Sequence, residues 1–249
     1  MKLKRYFIDK PLSGQANVAL DGDEFHHMVN VMRTRLGDMV ELFCGDGNNY
    51  LAQVVDIQKK QALLKIQSIS PNPCEPTLKL DVYQALAKGD KLSLITQKIT
   101  ELGASGLYVF DSKFCDVKAN TGKLDRLELV SASASKQCGR SSVLNVQGVV
   151  TIKQVCENIK NYDKFYVFYE AEEKDDFKNQ LLNLINSNAQ NIAIMVGAEG
   201  GFATEEIEQL TKSGAIIVGL GKRILRTETA AIAGSALVMQ MLEKTQNWQ

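Results

Sequence analysis

The chain has 249 residues, enough for one large domain or for a small and a medium one. Its hydrophobic content of 45%, charged content of 23% and net charge of +0 are ordinary for a globular protein and exclude a strongly basic chain. No apolar run predicts a membrane span, and the N-terminal stretch MKLKRYFIDKP lacks the apolar core of a signal peptide. The five cysteines are scattered without CxxC spacing, so we expect reduced thiols and a cytoplasmic protein.

The first 71 residues carry mostly β patterns. The stretch RYFID alternates, MVELFCGDGNNYLAQVVDI predicts a hairpin around residues 45–48, and ALLKIQSI predicts a further strand. A short helix is expected from about Glu24 to Val31. Short strands in this number predict a small β-barrel.

Three prolines in SPNPCEP, at positions 71, 73 and 76, predict a linker, because proline fixes φ and removes a donor. We therefore expect two domains, 1–71 and 72–249. In the second domain, strands are predicted in LKLDVYQAL, GLYVF, KFYVFYE, NIAIMV and AIIVGL. Helices are predicted in DKLSLITQKITEL, 123–138, DDFKNQLLNLINS, from about Thr204, where Thr204 is the expected cap, and from Glu228 to Lys244. This alternation predicts an α/β fold with a mostly parallel sheet covered on both faces.

Two glycine-rich loops, 197–202 and 219–227, follow the last two predicted strands. Ligands bind beyond the carboxyl ends of strands in such sheets. The dinucleotide fingerprint is absent, because GLGKRI has Ile224 where the third glycine would stand, and there is no Walker A sequence. Tight turns that only pack helix on strand remain a competing interpretation. In the second loop, Arg223 and Arg226 precede a helix that begins with small residues, which favours close approach of a ligand or a partner subunit.

These motifs resemble those of a known family. The pair VGAEGGFATEEI and LGKRILRTETA is similar to the C-terminal motifs of the RsmE family, the 16S ribosomal RNA uridine-N3 methyltransferases of the SPOUT superfamily. The stretches HHMVNVMRTRLGD, QALAKGDKLSLITQKITELG and ASKQCGR resemble further family segments in the family's order. Three stretches depart from the pattern: Ala198 stands where the family usually has proline, DSKFCDVK replaces a basic, serine-containing stretch, and GRSSVLNV lacks a proline.

The resemblance implies a PUA-like RNA-binding β-barrel followed by a SPOUT-type α/β methyltransferase domain with a trefoil knot at about 194–235. It implies S-adenosyl-L-methionine as cofactor, a homodimer, and methylation of N3 of a uridine in 16S rRNA, within the 30S subunit. Two alternatives remain open: a SPOUT enzyme that methylates a ribose 2′-OH, and a non-catalytic RNA-binding factor for ribosome assembly.

The site residues follow from the two loops. Arg226 is the first candidate for catalysis, because it would stabilise negative charge on the uracil, followed by Glu199 and Glu228 as candidates for the general base. Each has a competing structural role, such as hydrogen bonding to loop amides or to the start of a helix. The expected cofactor-binding residues are Gly197, Gly200, Gly201, Leu220, Gly221, Ile224, Leu225 and Ala230.

Arginine and lysine side chains are the candidates for contacts with RNA phosphates, although a solvated surface charge is the simpler interpretation of each one. They are Arg5, Arg33, Arg35, Lys88, Lys136 and Arg140. His26 and His27 are the two histidines of the chain, and adjacent residues point in different directions. We therefore expect no metal site.

Overall fold

The computed structural model describes residues 3–117, 121–172, 177–185 and 187–242, and the chain divides into two units. The first unit contains residues 1–75 together with 135–143, and the second contains 76–134 together with 144–249. None of the helices within the described ranges is both long and apolar enough to cross a membrane.

The first unit is built on a mixed sheet that forms a half-barrel. Its strands are β1 (Lys4–Phe7), β2 (Asn17–Asp21), β3 (Met39–Phe43), β4 (Asn48–Ile57) and β5 (Gln61–Pro71). They lie in the order β1-β3-β4-β5-β2, and β1 pairs with β3 in parallel. The predicted hairpin is confirmed as β3 and β4, with Gly45 and Gly47 at φ +90° and +82° in its turn. The predicted short helix is confirmed as α1 (Gly22–His26), which continues as a π-helix (His27–Val31).

A buried polar network holds residues 135–143 within the first unit. Glu75 accepts hydrogen bonds from the amides of Ser141 at 2.6 Å and Ser142 at 2.7 Å, and from the Arg140 guanidinium at 3.2 Å. Burial alone would raise the pKa of Glu75, but the charge of Arg140 and these amides outweigh it and hold the pKa below its ordinary value. The side chain of Glu75 is 17% exposed and that of Arg140 is 6% exposed, so water screens this ion pair only weakly.

The second unit is an α/β domain with a six-stranded parallel sheet. Its strands are β6 (Lys79–Ala85), β7 (Gly106–Phe110), β8 (Asn145–Val150), β9 (Lys164–Phe168), β10 (Asn191–Val196) and β11 (Ile216–Val218). The helices of this part of the chain are α2 (Lys91–Glu101), α3 (Thr121–Cys138), α4 (Ile152–Asn158), α5 (Phe177–Ile185), α6 (Thr204–Lys212) and α7 (Thr227–Leu242). The last residues of α3, from Ser135, belong to the first unit. The strands lie in the order β11-β9-β10-β6-β7-β8, and all neighbours are parallel. The predicted α/β fold is confirmed.

Helices cover both faces of this sheet. Successive side chains of a strand point to opposite faces, and β6 shows the consequence. Leu80 and Val82 join the core beneath α2, α5 and α7, whereas Tyr83 and Ala85 join the core beneath α4 and α6. Because the strands are parallel, the carboxyl ends of β6, β9, β10 and β11 lie at one edge of the sheet, and the glycine-rich loops begin there.

Some local expectations differ from the structure. The segments that form β8 and α4 were not predicted as elements, because β8 has no fully buried side chain and α4 has only 7 residues. The expected cap Thr204 is wrong: Ala203 is the N-cap of α6, and its amide donates to Glu206 at 2.9 Å. The last two residues of the predicted C-terminal helix, 243 and 244, lie outside the described residues.

Candidate functional site

A cavity of about 340 Å³ lies at this edge of the second unit. Both glycine-rich loops line it, together with the segment 168–170 at the end of β9 and the first residue of α2. The lining residues of the first loop are 196–199, 201 and 202, and those of the second loop and the start of α7 are 220, 221, 223–227 and 230. Segments that are far apart in the chain therefore form one concave surface.

Most of the predicted cofactor residues lie together at this cavity. They are Gly197, Gly201, Leu220, Gly221, Ile224, Leu225 and Ala230. Gly200 is not among the lining residues. A Cβ built on it would lie 2.8 Å from the Cβ of Phe114. The glycine at position 200 thus has a packing reason. That any of these residues binds a cofactor stays a prediction.

The first loop brings bare main chain to the cavity wall. The amide of Gly201 donates to the carbonyl of Ala198 at 3.0 Å, and Gly201 has φ +73°, a conformation that favours glycine. A Cβ at Gly201 would lie 2.5 Å from Oε1 of Glu170, which also lines the cavity. A Cβ at Gly197 would lie 3.0 Å from the ring of Phe202. Glycine at both positions therefore leaves room for the side chains that shape this wall.

The second loop divides its side chains between core and solvent. Leu220 and Leu225 pack against the buried core of the second unit, whereas Ile224 is 86% exposed. Arg226 is exposed, lines the cavity, and forms no ion pair with any carboxylate in the described part of the chain. Its guanidinium is therefore available for an anionic ligand.

Lys91, which was not among the predicted site residues, lies between two of the predicted acids. Nζ of Lys91 donates to Oε1 of Glu199 at 2.7 Å and lies 3.8 Å from Oε2 of Glu228. Burial alone would raise the pKa of Glu199, but the Lys91 hydrogen bond and backbone amides outweigh it and lower the pKa below its ordinary value. Oε2 of Glu228 is buried without a hydrogen-bond partner among the described residues, and Glu228 does not line the cavity.

A buried glutamine connects the two loops. Nε2 of Gln84 donates to Oγ1 of Thr227 at 2.8 Å, and this hydroxyl donates to the carbonyl of Gly197 at 2.6 Å. Gln84 opens the stretch QALAKGDKLSLITQKITELG, which resembles a family segment. That resemblance did not single out Gln84, because a sequence motif does not show which of its side chains reaches a distant loop.

The candidate RNA residues occupy different environments. Arg5 bonds the carbonyl of Arg140 at 3.0 Å and pairs with Glu41, and its side chain is 7% exposed. Lys136 pairs with Glu24 at 2.8 Å, and Arg140 pairs with Glu75. These three cations therefore already neutralise carboxylates inside the first unit, which leaves them less free to bind phosphate.

The other three candidates are more accessible. Arg33 and Arg35 are exposed, and Arg33 has φ +49°, which is uncommon outside glycine. Lys88 is exposed and pairs with Asp116 at 2.6 Å. Within the described ranges, no three His, Cys, Asp or Glu side chains cluster in a way that could hold a metal ion.

Comparison with known proteins finds RNA methyltransferases that are similar to nearly the whole chain. Residues 73–239 match the model of the RNA methyltransferase domain, and residues 20–67 match that of the RNA methyltransferase PUA domain. Ribosomal RNA small subunit methyltransferase E of Bacillus subtilis is 32% identical over 252 residues, covering 97% of this chain and 98% of the relative.

Two solved structures are similar over the same extent. One is ribosomal RNA small subunit methyltransferase E from Neisseria gonorrhoeae bound to S-adenosyl methionine, with a TM-score of 0.85, 28% identity, and coverage of 96% and 98% of the two chains. The other is a protein from Legionella pneumophila in complex with the bound cofactor SAM, with a TM-score of 0.83, 26% identity and the same coverage of 96% and 98%. This chain belongs to the ribosomal RNA small subunit methyltransferase E family of RNA methyltransferases.

Proposed function

We propose that this protein transfers a methyl group from S-adenosyl-L-methionine to N3 of a uridine in 16S rRNA. The observation that carries the proposal is the cavity formed by two glycine-rich loops, the second of which carries Arg223 and Arg226, in a chain whose relatives include structures with this cofactor bound. The resemblance of both loops to the uridine-N3 methyltransferases supports the choice of base and position.

The residues present fit this cofactor. The cavity, about 340 Å³, falls within the usual range of roughly 300–1,000 Å³ for small-ligand sites. Leu220, Leu225 and Phe168 offer apolar surface for an adenine ring, and main chain beside Gly197 and Gly221 offers hydrogen-bonding groups. Lys91 and Glu170, which carry opposite charges, suit the carboxylate and the ammonium of the methionine part.

The protein's task is to prepare the acceptor, because the cofactor supplies a methyl group on a sulfonium that is already electrophilic. Uridine N3 carries a proton at neutral pH and must lose it before nitrogen can attack. Arg226 is assigned to stabilise the negative charge that then develops on the uracil oxygens. Glu199 is a weak proton acceptor, since Lys91 already donates to it and its pKa is lowered. Glu228 keeps an acceptor oxygen without a hydrogen-bond partner among the described residues.

We also propose a homodimer, with a second copy seated on the outer face of α7. Side chains on this face are apolar at helical spacing, and Leu237 and Met241 are 44% and 37% exposed. The partly exposed Ile232, Ala233 and Ala236 continue the same stripe. An apolar helix face open to water is unusual in a monomer. Sedimentation should give a dimer for the protein and a monomer for Leu237→Asp, and a monomeric wild type would contradict the proposal.

The domain roles follow from the same reasoning. We assign RNA binding to residues 1–71 and methyl transfer to 72–249, with a trefoil knot at about 194–235. Arg33, Arg35 and Lys88 are the preferred phosphate contacts, because they are exposed. The substrate would be the 16S rRNA within the 30S subunit, which places the reaction in the cytoplasm.

Labelled S-adenosyl-L-methionine and 30S subunits that lack the modification provide the test. Incorporation of label, followed by nucleoside analysis, should give N3-methyluridine at one rRNA position. A methyl group on a ribose 2′-OH would instead establish the other regiochemistry. RNA binding without saturable cofactor uptake in calorimetry would establish a non-catalytic assembly factor.

A further inference from the structure

Gln84 is a polar side chain in an apolar layer. It shares a face of β6 with Leu80 and Val82, which belong to the core beneath α2, α5 and α7, and its side chain is 0% exposed. An amide buried in this way is costly unless it is hydrogen-bonded. The contacts of Gln84 therefore define its role.

The hydrogen bonds of Gln84 form a directed chain. Its Nε2 donates to Oγ1 of Thr227 at 2.8 Å and to the carbonyl of Ala85 at 3.0 Å. A hydroxyl has one proton to donate, and that of Thr227 goes to the carbonyl of Gly197 at 2.6 Å. Oγ1 must then accept from Gln84, so the orientation of the amide is fixed.

This orientation leaves one atom without a partner. Oε1 of Gln84 is buried and has no hydrogen-bond partner among the described residues. An apolar residue of similar size would avoid that cost, because replacing a buried polar group by an apolar one of the same shape is often nearly neutral for stability. Stability alone therefore does not explain a glutamine here.

The chain of hydrogen bonds ends at the cavity. Thr227 and Gly197 both line it, whereas Gln84 does not. The bonds join residues that are 143 and 30 positions apart in the sequence. They fix the first residue of α7, where the second loop ends, against the start of the first loop.

We propose that Gln84 is a positioning residue that, through Thr227, holds the two cofactor loops in the arrangement that binds S-adenosyl-L-methionine. The inference rests on the proposed function, since the cofactor is the ligand whose affinity it controls. Gln84 acts on the affinity of the site and contributes little to the stability of the fold.

Gln84→Met is the direct test, because methionine keeps the length of the side chain and removes the amide. Calorimetry with S-adenosyl-L-methionine should show binding weakened about tenfold, the factor that one hydrogen bond of ordinary net strength represents. The Tm should stay within about 3 °C of wild type. KM for the cofactor should rise with kcat at saturation retained, a separation that a purely structural role would not produce.

Thr227→Val removes the hydroxyl in the middle of this series of hydrogen bonds. The double variant Gln84→Met/Thr227→Val should bind S-adenosyl-L-methionine only slightly more weakly than either single variant, because both substitutions break the same series of hydrogen bonds. Thr227→Ser, which keeps the hydroxyl, should recover most of the affinity. Thr96→Val is the matched control: Thr96 is also buried, but its hydroxyl donates to Leu92 within its own helix. We expect wild-type affinity for it.

The outcomes separate the two levels of the proposal. If the wild type shows no saturable cofactor binding, the proposed function fails. If the wild type binds but Gln84→Met binds equally well, or loses affinity only in proportion to a large fall in Tm, the positioning role is wrong. Additive losses in the double variant would also overturn it, because they would mean that Gln84 and Thr227 act independently.

Discussion

Replacing Gly234 by alanine tests whether the cavity wall is rigid. A Cβ at this position of α7 would lie 2.2 Å from Cε2 and 2.6 Å from Cζ of Phe168. Phe168 lines the cavity, and its ring packs against Phe177 with centroids 4.8 Å apart. Because the ring is already packed against Phe177, it has little freedom to retreat from the new methyl group.

The expected magnitude follows from two opposing terms. Alanine is a better helix former than glycine by about 1 kcal/mol, which favours the variant. Overpacking a closed core costs about 1–3 kcal/mol, and contacts this short argue for the upper end. We therefore expect a net loss of about 2 kcal/mol, which corresponds to a fall in Tm of about 4–8 °C for a chain of this size.

Thermal unfolding and calorimetry with S-adenosyl-L-methionine measure the two consequences. The Tm should fall and cofactor binding should weaken, because the displaced ring belongs to the cavity wall. Gly148→Ala is the matched control, since its Cβ would meet only Leu124 at an ordinary 3.6 Å. A Gly234→Ala protein that is more stable than wild type would refute the reasoning, because only the gain in helix propensity would then remain.

Three further predictions concern other parts of the molecule. Gly201→Ala should lower the free energy of unfolding by about 1–2 kcal/mol, because of the positive φ, and should also weaken cofactor binding through its clash with Glu170. Gly214→Ala is the control, because Gly214 has φ +99° and only Ile159 nearby. In the same denaturation and binding assays it should lose stability but keep its affinity for the cofactor. Arg226→Ala should lower kcat on 30S subunits by about 100-fold with little change in RNA affinity. An unchanged rate would show that Arg226 is not catalytic. Lys222→Ala, which removes a nearby charge of the same sign, is the control. Glu75→Gln should destabilise the protein by about 3 kcal/mol at pH 7 in urea unfolding. Because the pKa of Glu75 is lowered in the folded state, its stabilisation is present above about pH 4.3 and is lost as the pH falls through the folded value, so the difference from wild type should shrink in acid. A difference that does not depend on pH would contradict that origin, and Glu205→Gln, in an exposed pair with Lys113, should change little.

The elements with strong periodicity were predictable from the sequence. Ile95 and Ile99 recur at helical spacing, and both are fully buried in α2. The alternating runs on either side of the turn with Gly45 and Gly47 likewise gave β3 and β4. Such elements follow from local patterns of burial, which the sequence records directly. The short α4 and the exposed edge strand β8 carry little of that pattern and were missed.

Side chains whose role depends on distant partners were harder to predict. Lys91 reaches Glu199 across 108 positions of the chain, and Gln84 reaches Thr227 across 143. Both lie in the stretch QALAKGDKLSLITQKITELG, but no local pattern shows these distant partners, because the order of the strands creates both contacts. Arg5 and Arg140 show the converse, since arginine alone indicated phosphate binding, but their surroundings contain carboxylates.

The cavity depends on the order of strands in the sheet, which differs from their order in the chain. β11 lies beside β9, so the second glycine loop starts two strands away from β10, where the first loop starts. The second loop must cross this edge before α7 begins at Thr227, 2.6 Å from the carbonyl of Gly197. Irregular segments are costly to order, at about 1–2 kcal/mol per residue. A ligand that meets loops already fixed avoids that cost and binds more tightly. Contacts such as that between Gln84 and Thr227 therefore act on affinity, whereas the packing of Gly234 against Phe168 acts on affinity and stability together.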